Sequence, residues 1–202
     1  MNLGELRNAC LLQARSDAPD VVGNMDLWIN MAIRRVCTEQ PPFGWWFTER
    51  AETIPANAAG NLTLSEVPLE IREVIAGTTR LIKIRSTNAY LFAQAPTTAA
   101  YYDIGKTVYL VPSSQPAALY RVVYDVVLPD LQSDSDENTL TVVAPDVVIA
   151  GAMVEVSLHL GRVEDAQVWE TRFREKLASL QRLNARRRGV AAGDIASDAR
   201  PS

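Results

Sequence analysis

Apolar positions in the N-terminal segment recur at the spacing of a helix. Asn2 followed by Glu5 resembles a capping box, which predicts a short first helix that ends near residues 16–19. A second apolar stripe consists of Met25, Trp28, Ile29, Ala32, Ile33 and Val36. This stripe predicts a second helix that ends before Pro41 and Pro42, because proline lacks the backbone N–H and its ring clashes with the preceding turn.

The hydrophobic pattern changes after the two prolines. Residues 46–137 carry short β-rich runs separated by turn residues, without a long helical stripe. The predicted strands cover residues 46–54, 61–64, 71–75, 81–85, 107–111 and 119–128. Apolar and polar residues alternate in the last run, which is typical of a strand with one buried face. We interpret residues 43–143 as a small antiparallel β domain.

Helical patterns return after an acidic loop at residues 129–138. Pro145 suits the first turn of a helix, and the stretch to Leu160 is apolar nearly all round, which predicts a helix buried on most sides. A final helix runs from about Val163 to Arg188. Residues 189–202 cannot build a core, so we predict a flexible tail.

Helices at the two ends of the chain can bury their stripes only against each other. We therefore predict an α+β fold, in which residues 1–42 and 144–188 form a four-helix bundle and the β domain is inserted between its halves. The expected bundle core is Trp28, Ile29, Ile33, Val154, Leu158, Phe173 and Leu177. The expected hinge core between helix and insert is Trp45, Trp46 and Phe47.

Charge is distributed unevenly along the chain of 202 residues. Seven basic residues between Arg172 and Arg188 accompany Glu175 alone, so this segment carries +6 while the whole chain carries −4. One or two cations would suffice to complement a helix dipole. The excess predicts a surface for an acidic protein or a nucleic acid.

The longest apolar run, residues 147–154, is far short of the ~20 residues that span a bilayer, so we expect a soluble protein without membrane contact.

Candidate catalytic and redox residues are sparse. His159 is the sole histidine, and its neighbours in sequence with acidic or nucleophilic side chains are Glu155 and Ser157, of which Glu155, four residues before it, could hydrogen-bond with it on one helical face. We interpret His159 as structural or interfacial. Cys10 and Cys37 are expected to be reduced core residues rather than a disulfide.

The acidic loop alternates acidic residues from Asp134 in the manner of a calcium-binding loop. An EF-hand needs glycine at its sixth position and glutamate at its twelfth, where this chain has Thr139 and Pro145. We therefore interpret the loop as a solvated turn. Phosphate-loop motifs are missing from the sequence as well. We expect neither an enzyme nor a bound metal or cofactor.

Several short motifs follow one another in a particular order. The helix reads WINMAI at residues 28–33, and an aromatic turn follows it. A strand, Pro68 and a further strand come next, and then Tyr101 or Tyr102, followed by Gly105, Val108, Leu110 and Pro112. This order resembles the head-to-tail connector, or adaptor, proteins of tailed bacteriophages, whose motifs are a W-x-N-x-A helix and a Y-x-x-x-G-x-x-L-x-L-x-P segment.

The resemblance implies a structural protein in the neck of the virion, assembled in the host cytoplasm. Such proteins form a ring, typically dodecameric, that joins the portal of the head to the tail and extends the DNA channel. The implied partners are the portal protein, tail or stopper proteins, further copies of this chain, and double-stranded DNA that passes without sequence-specific binding. The implied portal-contacting residues are Arg182, Arg186, Arg187 and Arg188, together with the tail after Gly189.

Other functions remain open at this stage. The chain could be a different connector or tail-completion protein, such as a stopper or terminator. A carbohydrate-binding module would need Trp45 and Trp46 exposed to solvent for stacking. A DNA-binding regulator would use the basic helix and would lose affinity steeply with salt.

Overall fold

The computed structural model describes residues 1–39, 41, 44–93, 99–112 and 118–189. The chain divides into a helical unit, residues 1–47 and 128–202, and a β unit, residues 48–127. We had placed the insert over residues 43–143. The acidic loop and the short helix after it belong to the helical unit instead. Apart from Gly189, the predicted tail lies outside the described residues.

The described residues form six α-helices. They are α1 (Leu3–Ala14), α2 (Pro19–Thr38), α3 (Ala89–Ala93), α4 (Thr139–Val143), α5 (Pro145–His159) and α6 (Val163–Arg188). The predicted capping box is confirmed, because the Glu5 backbone N–H donates to Asn2 Oδ1 at 2.9 Å and the Asn2 N–H donates to Glu5 Oε2 at 3.1 Å. Gly189, with φ of +67°, ends α6 in the left-handed conformation that suits glycine.

Helix α5 is the centre of the helical unit and contacts α1, α2, α4 and α6. A Cβ atom on Gly151 would lie 2.9 Å from the Ala32 Cβ and 3.3 Å from the Phe173 ring, so α2 and α6 both approach α5 closely at this glycine. The prediction of a four-helix bundle is wrong, since four helices pack here around a fifth, α5. A helix that is apolar on all sides is most stable in the middle rather than at a corner.

Most of the predicted core side chains are buried, and one is exposed. Those buried are Trp28, Ile29, Ile33, Val154, Phe173 and Leu177. Leu158, near the end of α5, is 51% exposed and lies outside the core. Because α5 is apolar all round, its sequence pattern could not indicate which face would meet solvent at its last turn.

The β unit contains two four-stranded sheets and the short helix α3, which follows a 3₁₀ turn at Ser86–Asn88. Its strands are β1 (Glu49–Pro55), β2 (Asn61–Thr63), β3 (Glu70–Ala76), β4 (Thr79–Arg80), β5 (Ile82–Lys83), β6 (Ala100–Ile104), β7 (Thr107–Val111) and β8 (Leu119–Asp125). One sheet has the order β1-β8-β3-β4 and the other β2-β7-β6-β5. The prediction of a small antiparallel domain is wrong, since β5 and β6 pair in parallel.

Both sheets contribute side chains to one core. Leu62, Tyr101 and Val108 from one sheet share a cluster of buried residues with Val74 and Val122 from the other. Of the predicted strand at 81–85, only Ile82 and Lys83 form a strand, β5, which pairs with β6, while β4 lies just before the predicted range and pairs with β3. Strand β8, which alternates buried and exposed residues as predicted, lies between β1 and β3.

Candidate docking surfaces

The last turns of α6 carry four arginines that we call the arginine cluster. Arg182, Arg186 and Arg187 are exposed, and Arg188 is half-buried. Among the residues that the structure describes, the first three make no ion pair with a carboxylate. Arg182 donates only to Ser179 Oγ, at 2.9 Å. Arg182, Arg186 and Arg187 therefore present positive charge that no described carboxylate compensates.

The basic residues earlier in α6 have partners. Arg174 bonds Glu39 at 2.6 Å and Glu170 at 2.8 Å, and Lys176 bonds Asp146 at 2.8 Å. The guanidinium of Arg172 lies 4.5 Å from the centre of the Trp169 ring. The excess of +6 counted along the sequence is thus concentrated, once ion pairs are considered, at the end of the helix.

Arg187 lies on an aromatic platform. Its guanidinium carbon is 4.6 Å from the centre of the Trp46 ring, a distance typical of a cation–π contact. The backbone beneath the ring is held by Asn184 of α6, which is only 2% exposed. Asn184 Oδ1 accepts from the Trp46 N–H at 3.0 Å, and Asn184 Nδ2 donates to the Gly44 carbonyl at 2.7 Å. Sequence reasoning did not single out Asn184, because a lone asparagine within a charged helix carries no pattern.

The other two hinge aromatics are buried. The Trp45 ring stacks on Phe47 at 5.4 Å between centres, and its indole N–H donates to the Val36 carbonyl at 2.7 Å. The edge of Trp46 meets Phe47 at 5.0 Å. A carbohydrate-binding module required both tryptophans to be exposed, whereas Trp45 is fully buried and Trp46 is half-buried beneath Arg187.

Two grooves open on the helical unit. The first, the α1–α2 groove, is lined in part by Leu11, Leu12 and Val22, and Leu12 is 79% exposed. The second, the α4–α6 groove, is lined by buried Val147 and Leu180, by Leu183, and by the polar residues Asp146, Lys176 and Ser179. Exposed aliphatic side chains such as Leu12 are common at protein–protein contacts.

A family model described as SU10 adaptor protein matches residues 1–196. The chain belongs to the SU10 adaptor family. The predicted resemblance to phage head-to-tail adaptors is thereby confirmed, and the protein is a structural adaptor of a phage, a component of the virion. A search of curated proteins gives no match. Within the described residues, no helix is both long and apolar enough to cross a membrane.

In this SU10 adaptor, the WINMAI motif holds the helical unit together. Trp28 contacts the His159 ring at 5.1 Å between ring centres. Asn30 is buried, donates to the Leu131 carbonyl at 3.0 Å and accepts from the Leu131 N–H at 2.9 Å. Ala32 is the residue that faces Gly151. Trp28, Asn30 and Ala32 of the motif therefore have packing roles.

The only histidine forms a hydrogen bond with another helix. His159 Nε2 lies 2.8 Å from Asp20 Oδ2 of α2, and this hydrogen bond lowers the pKa of Asp20. We had named Glu155 as the nearest partner on the helical face, and the structure places His159 against Asp20 instead. The ring therefore joins the end of α5 to the start of α2.

The acidic loop is anchored to the adaptor's first two helices. Asp130 bonds Arg34, and Asp134 bonds Arg7 at 2.9 Å. Asp136 accepts from the Ser133 hydroxyl and from the N–H groups of Ser133 and Gln132, which lowers its pKa to about 2. In the part of the chain that the structure describes, no group of three potential metal ligands occurs. The loop is a set of turns held by arginines.

The thiols of the two cysteines are buried in the helical unit. Cys10 and Cys37 are both free, and burial raises the pKa of Cys10 to about 12. Burial also raises the pKa of Cys37. Neither thiol is therefore activated toward nucleophilic chemistry at neutral pH.

The β unit has two polar clusters of its own. Fully buried Asp125 accepts from Arg72 and from the Thr48 hydroxyl, the latter at 2.9 Å. Glu52 accepts from the hydroxyls of Ser65 and Tyr124. Burial raises the pKa of Glu52, but the hydrogen bonds outweigh burial and leave that pKa below its ordinary value. Both clusters connect strand β8 to neighbouring segments. They therefore help to fix the register in which β8 pairs with its neighbours.

Proposed function

We propose that this SU10 adaptor forms a ring of twelve copies in the phage neck, where it joins the portal of the head to the tail and extends the DNA channel. The observation that carries the proposal is that Arg182, Arg186 and Arg187 are exposed and make no ion pair with a carboxylate among the described residues, in a chain that is acidic overall. A solvent-exposed charged surface of this kind suits a docking contact with an acidic protein.

The two grooves support the ring. A closed ring needs a heterologous contact, in which one surface of each copy meets a different surface of the next. The α1–α2 groove and the α4–α6 groove are distinct surfaces with exposed aliphatic side chains, among them Leu12 and Leu183. We assign the contact between neighbouring copies to these two grooves.

The charge balance supports passage of DNA without tight binding. The segment from Arg172 to Arg188 carries +6 within a chain of net charge −4, so the remaining residues carry −10. Non-specific DNA binding depends on the number of phosphates that cations neutralise. A protein that is acidic apart from a few exposed arginines at the end of α6 would let DNA slide past.

The role we propose is structural, without enzymatic activity. His159 bonds Asp20 rather than a nucleophile.

Electron microscopy of the purified protein, alone and mixed with the portal ring of the same phage, tests the proposal. We expect rings of twelve copies seated on the portal. A protein that stays monomeric and does not bind the portal would overturn the proposal. A ring seated on a tail tube instead would assign the chain to the stoppers or terminators.

A shortened chain provides the matched control for that experiment. We predict that truncation after Arg188 leaves the fold intact, which the melting temperature of the shortened chain checks. We expect weaker docking on the portal, because the resemblance assigns the last residues to that contact. If the shortened chain bound the portal with unchanged affinity, the contact would be assigned to the arginine cluster alone.

A further inference from the structure

The uncompensated arginines do not all have the same surroundings. The guanidinium carbon of Arg187 lies over the Trp46 ring, 4.6 Å from its centre, and Arg187 donates no hydrogen bond to another described residue. A guanidinium held flat on a ring keeps its N–H edges available for a ligand, and those edges match the two oxygens of a carboxylate. Arg187 is therefore ordered before any partner arrives.

The platform under Arg187 is itself rigid. Asn184 fixes the backbone at Gly44 and Trp46, and Phe47 packs against the Trp46 ring. Phe47 in turn stacks on the buried Trp45. A long arginine side chain ordinarily loses rotamer freedom on binding, and ordering it in advance removes part of that cost.

The partner that fits best is an acidic polypeptide rather than DNA. The exposed arginines Arg182, Arg186 and Arg187 could neutralise only about three phosphates, which gives weak binding that salt abolishes. The −10 carried by the rest of the chain adds repulsion toward DNA. A carboxylate bonded at two points by a stacked arginine gains from geometry as well as from charge.

We propose that Arg187 on Trp46 is the specific anchor for an aspartate or glutamate side chain of the docking partner, while Arg182 and Arg186 attract the surrounding acidic segment. The inference rests on the proposed docking to the portal. It adds to that proposal that Arg187 binds the partner and that the group bound is a carboxylate.

The test compares arginine-to-lysine changes in the full chain, since lysine keeps the charge but not the planar fork. R187K is the test variant. R172K is the matched control, because Arg172 is also exposed and stacked on a tryptophan, Trp169, but lies outside the arginine cluster. R182K controls for a change within the cluster at an arginine without an aromatic platform among the described residues.

The probes are a synthetic peptide of alternating glutamate and glycine, a 20-base-pair DNA duplex and the portal ring, each at physiological salt. We expect R187K to weaken binding of the peptide and of the portal about tenfold, and R172K and R182K to change both less than about twofold. W46F should keep most of the binding and W46L should lose as much as R187K.

Two results would overturn the inference: equal effects of R187K and R182K on the peptide, or tighter binding of the duplex than of the peptide by the unmodified chain. Failure of the proposed function appears separately, as an unmodified chain that does not bind the portal. In that case the peptide titration still decides whether Arg187 is a carboxylate anchor.

Discussion

Two parts of α6, residues 163–176 and 177–188, here called its first and second halves, carry three and four basic residues but use them differently. In the first half, Arg174 and Lys176 are paired with carboxylates of the loop after α2, of α6 itself and of α5. In the second half, Arg182 and Arg186 have no carboxylate partner among the residues described. The first half thus contributes its cations to the helical unit, and the second half presents them to solvent.

The comparison teaches that charge along a helix does not by itself indicate a docking surface. Glu39, Glu170 and Asp146 decide which cations are compensated, and two of these three lie on other segments. The buried side of α6 differs as well. Phe173 packs against α5 in the first half, whereas Asn184 holds a hinge segment in the second. The predictions below test this division, from the largest expected effect to the smallest.

Replacing Phe173 by alanine should cause the largest loss of stability. Phe173 is fully buried, contacts α5 at Gly151 and lies 4.2 Å below the guanidinium of Arg35. Removal of a buried phenylalanine costs about 3–5 kcal/mol of unfolding free energy. Urea unfolding measures the change.

Val168→Ala is the control for that substitution, because Val168 is exposed on the same half of α6 and should change stability by less than about 0.5 kcal/mol. A loss below about 1 kcal/mol for F173A would contradict the assignment of the first half to the core of the helical unit.

Replacing Asn184 by alanine should have the next largest effect. The change leaves the Trp46 N–H and the Gly44 carbonyl without their partner in a buried place, which costs about 1–3 kcal/mol. Thermal and urea unfolding measure the loss. The affinity for the docking partner should fall as well, because the Trp46 ring beneath Arg187 is no longer held in place.

Gln181→Ala, three residues earlier on α6, is the control and should alter neither stability nor binding appreciably. If N184A retained full stability, Asn184 would not be the link between α6 and the hinge segment.

Replacing Glu170 by glutamine should have a smaller, pH-dependent effect. The hydrogen bond from Arg35 chiefly, and that from Arg174 next, outweigh burial and lower the pKa of Glu170. A lowered carboxylate pKa stabilises the fold above the ordinary glutamate value and loses that contribution as pH falls through the folded-state value. Because Glu170 is partly exposed, we expect no more than about 1 kcal/mol.

Urea unfolding at pH 7 and at pH 3 separates the two cases. The unmodified chain should exceed E170Q in stability at pH 7, and the difference should shrink below pH ~4. A difference that is the same at both pH values would show that the charge of Glu170 contributes nothing.

The smallest effect on stability is expected for R182Q combined with R186Q. Both side chains are exposed and lack carboxylate partners within the described ranges, so the free energy of unfolding should change by less than about 0.5 kcal/mol. Portal binding should nevertheless weaken, and its dependence on salt should become shallower. A stability loss above about 1 kcal/mol would mean that the second half of α6 is also part of the folded core.

Much of the local structure could be predicted from short stretches of sequence. The capping box at Asn2, the start of α5 at Pro145 and the end of α6 at Gly189 depend only on neighbouring residues. The alternation in β8 was equally visible. These features were confirmed because their hydrogen bonds close within one turn or along one strand.

Other predictions were wrong where the deciding partner is distant in sequence. Short helix α4 was not anticipated, since five residues are too few for a stripe. The pairing of β5 with β6 in parallel, and the exposure of Leu158, depend on which surfaces the rest of the chain already covers. The role of Asn184 could not be predicted, because its partners Gly44 and Trp46 are distant from it in sequence.

The amino-acid sequence by itself determined the helix ends, most of the buried faces and the excess of arginine at the end of α6, because these follow from local hydrogen bonding and from the spacing of apolar side chains. Only the tertiary structure decided that α5 is central, that Glu39 and Asp146 neutralise the earlier cations, and that Trp46 lies beneath Arg187. An ion pair or a stacking contact needs two residues, and only the folded chain determines which residues that are distant in sequence come together.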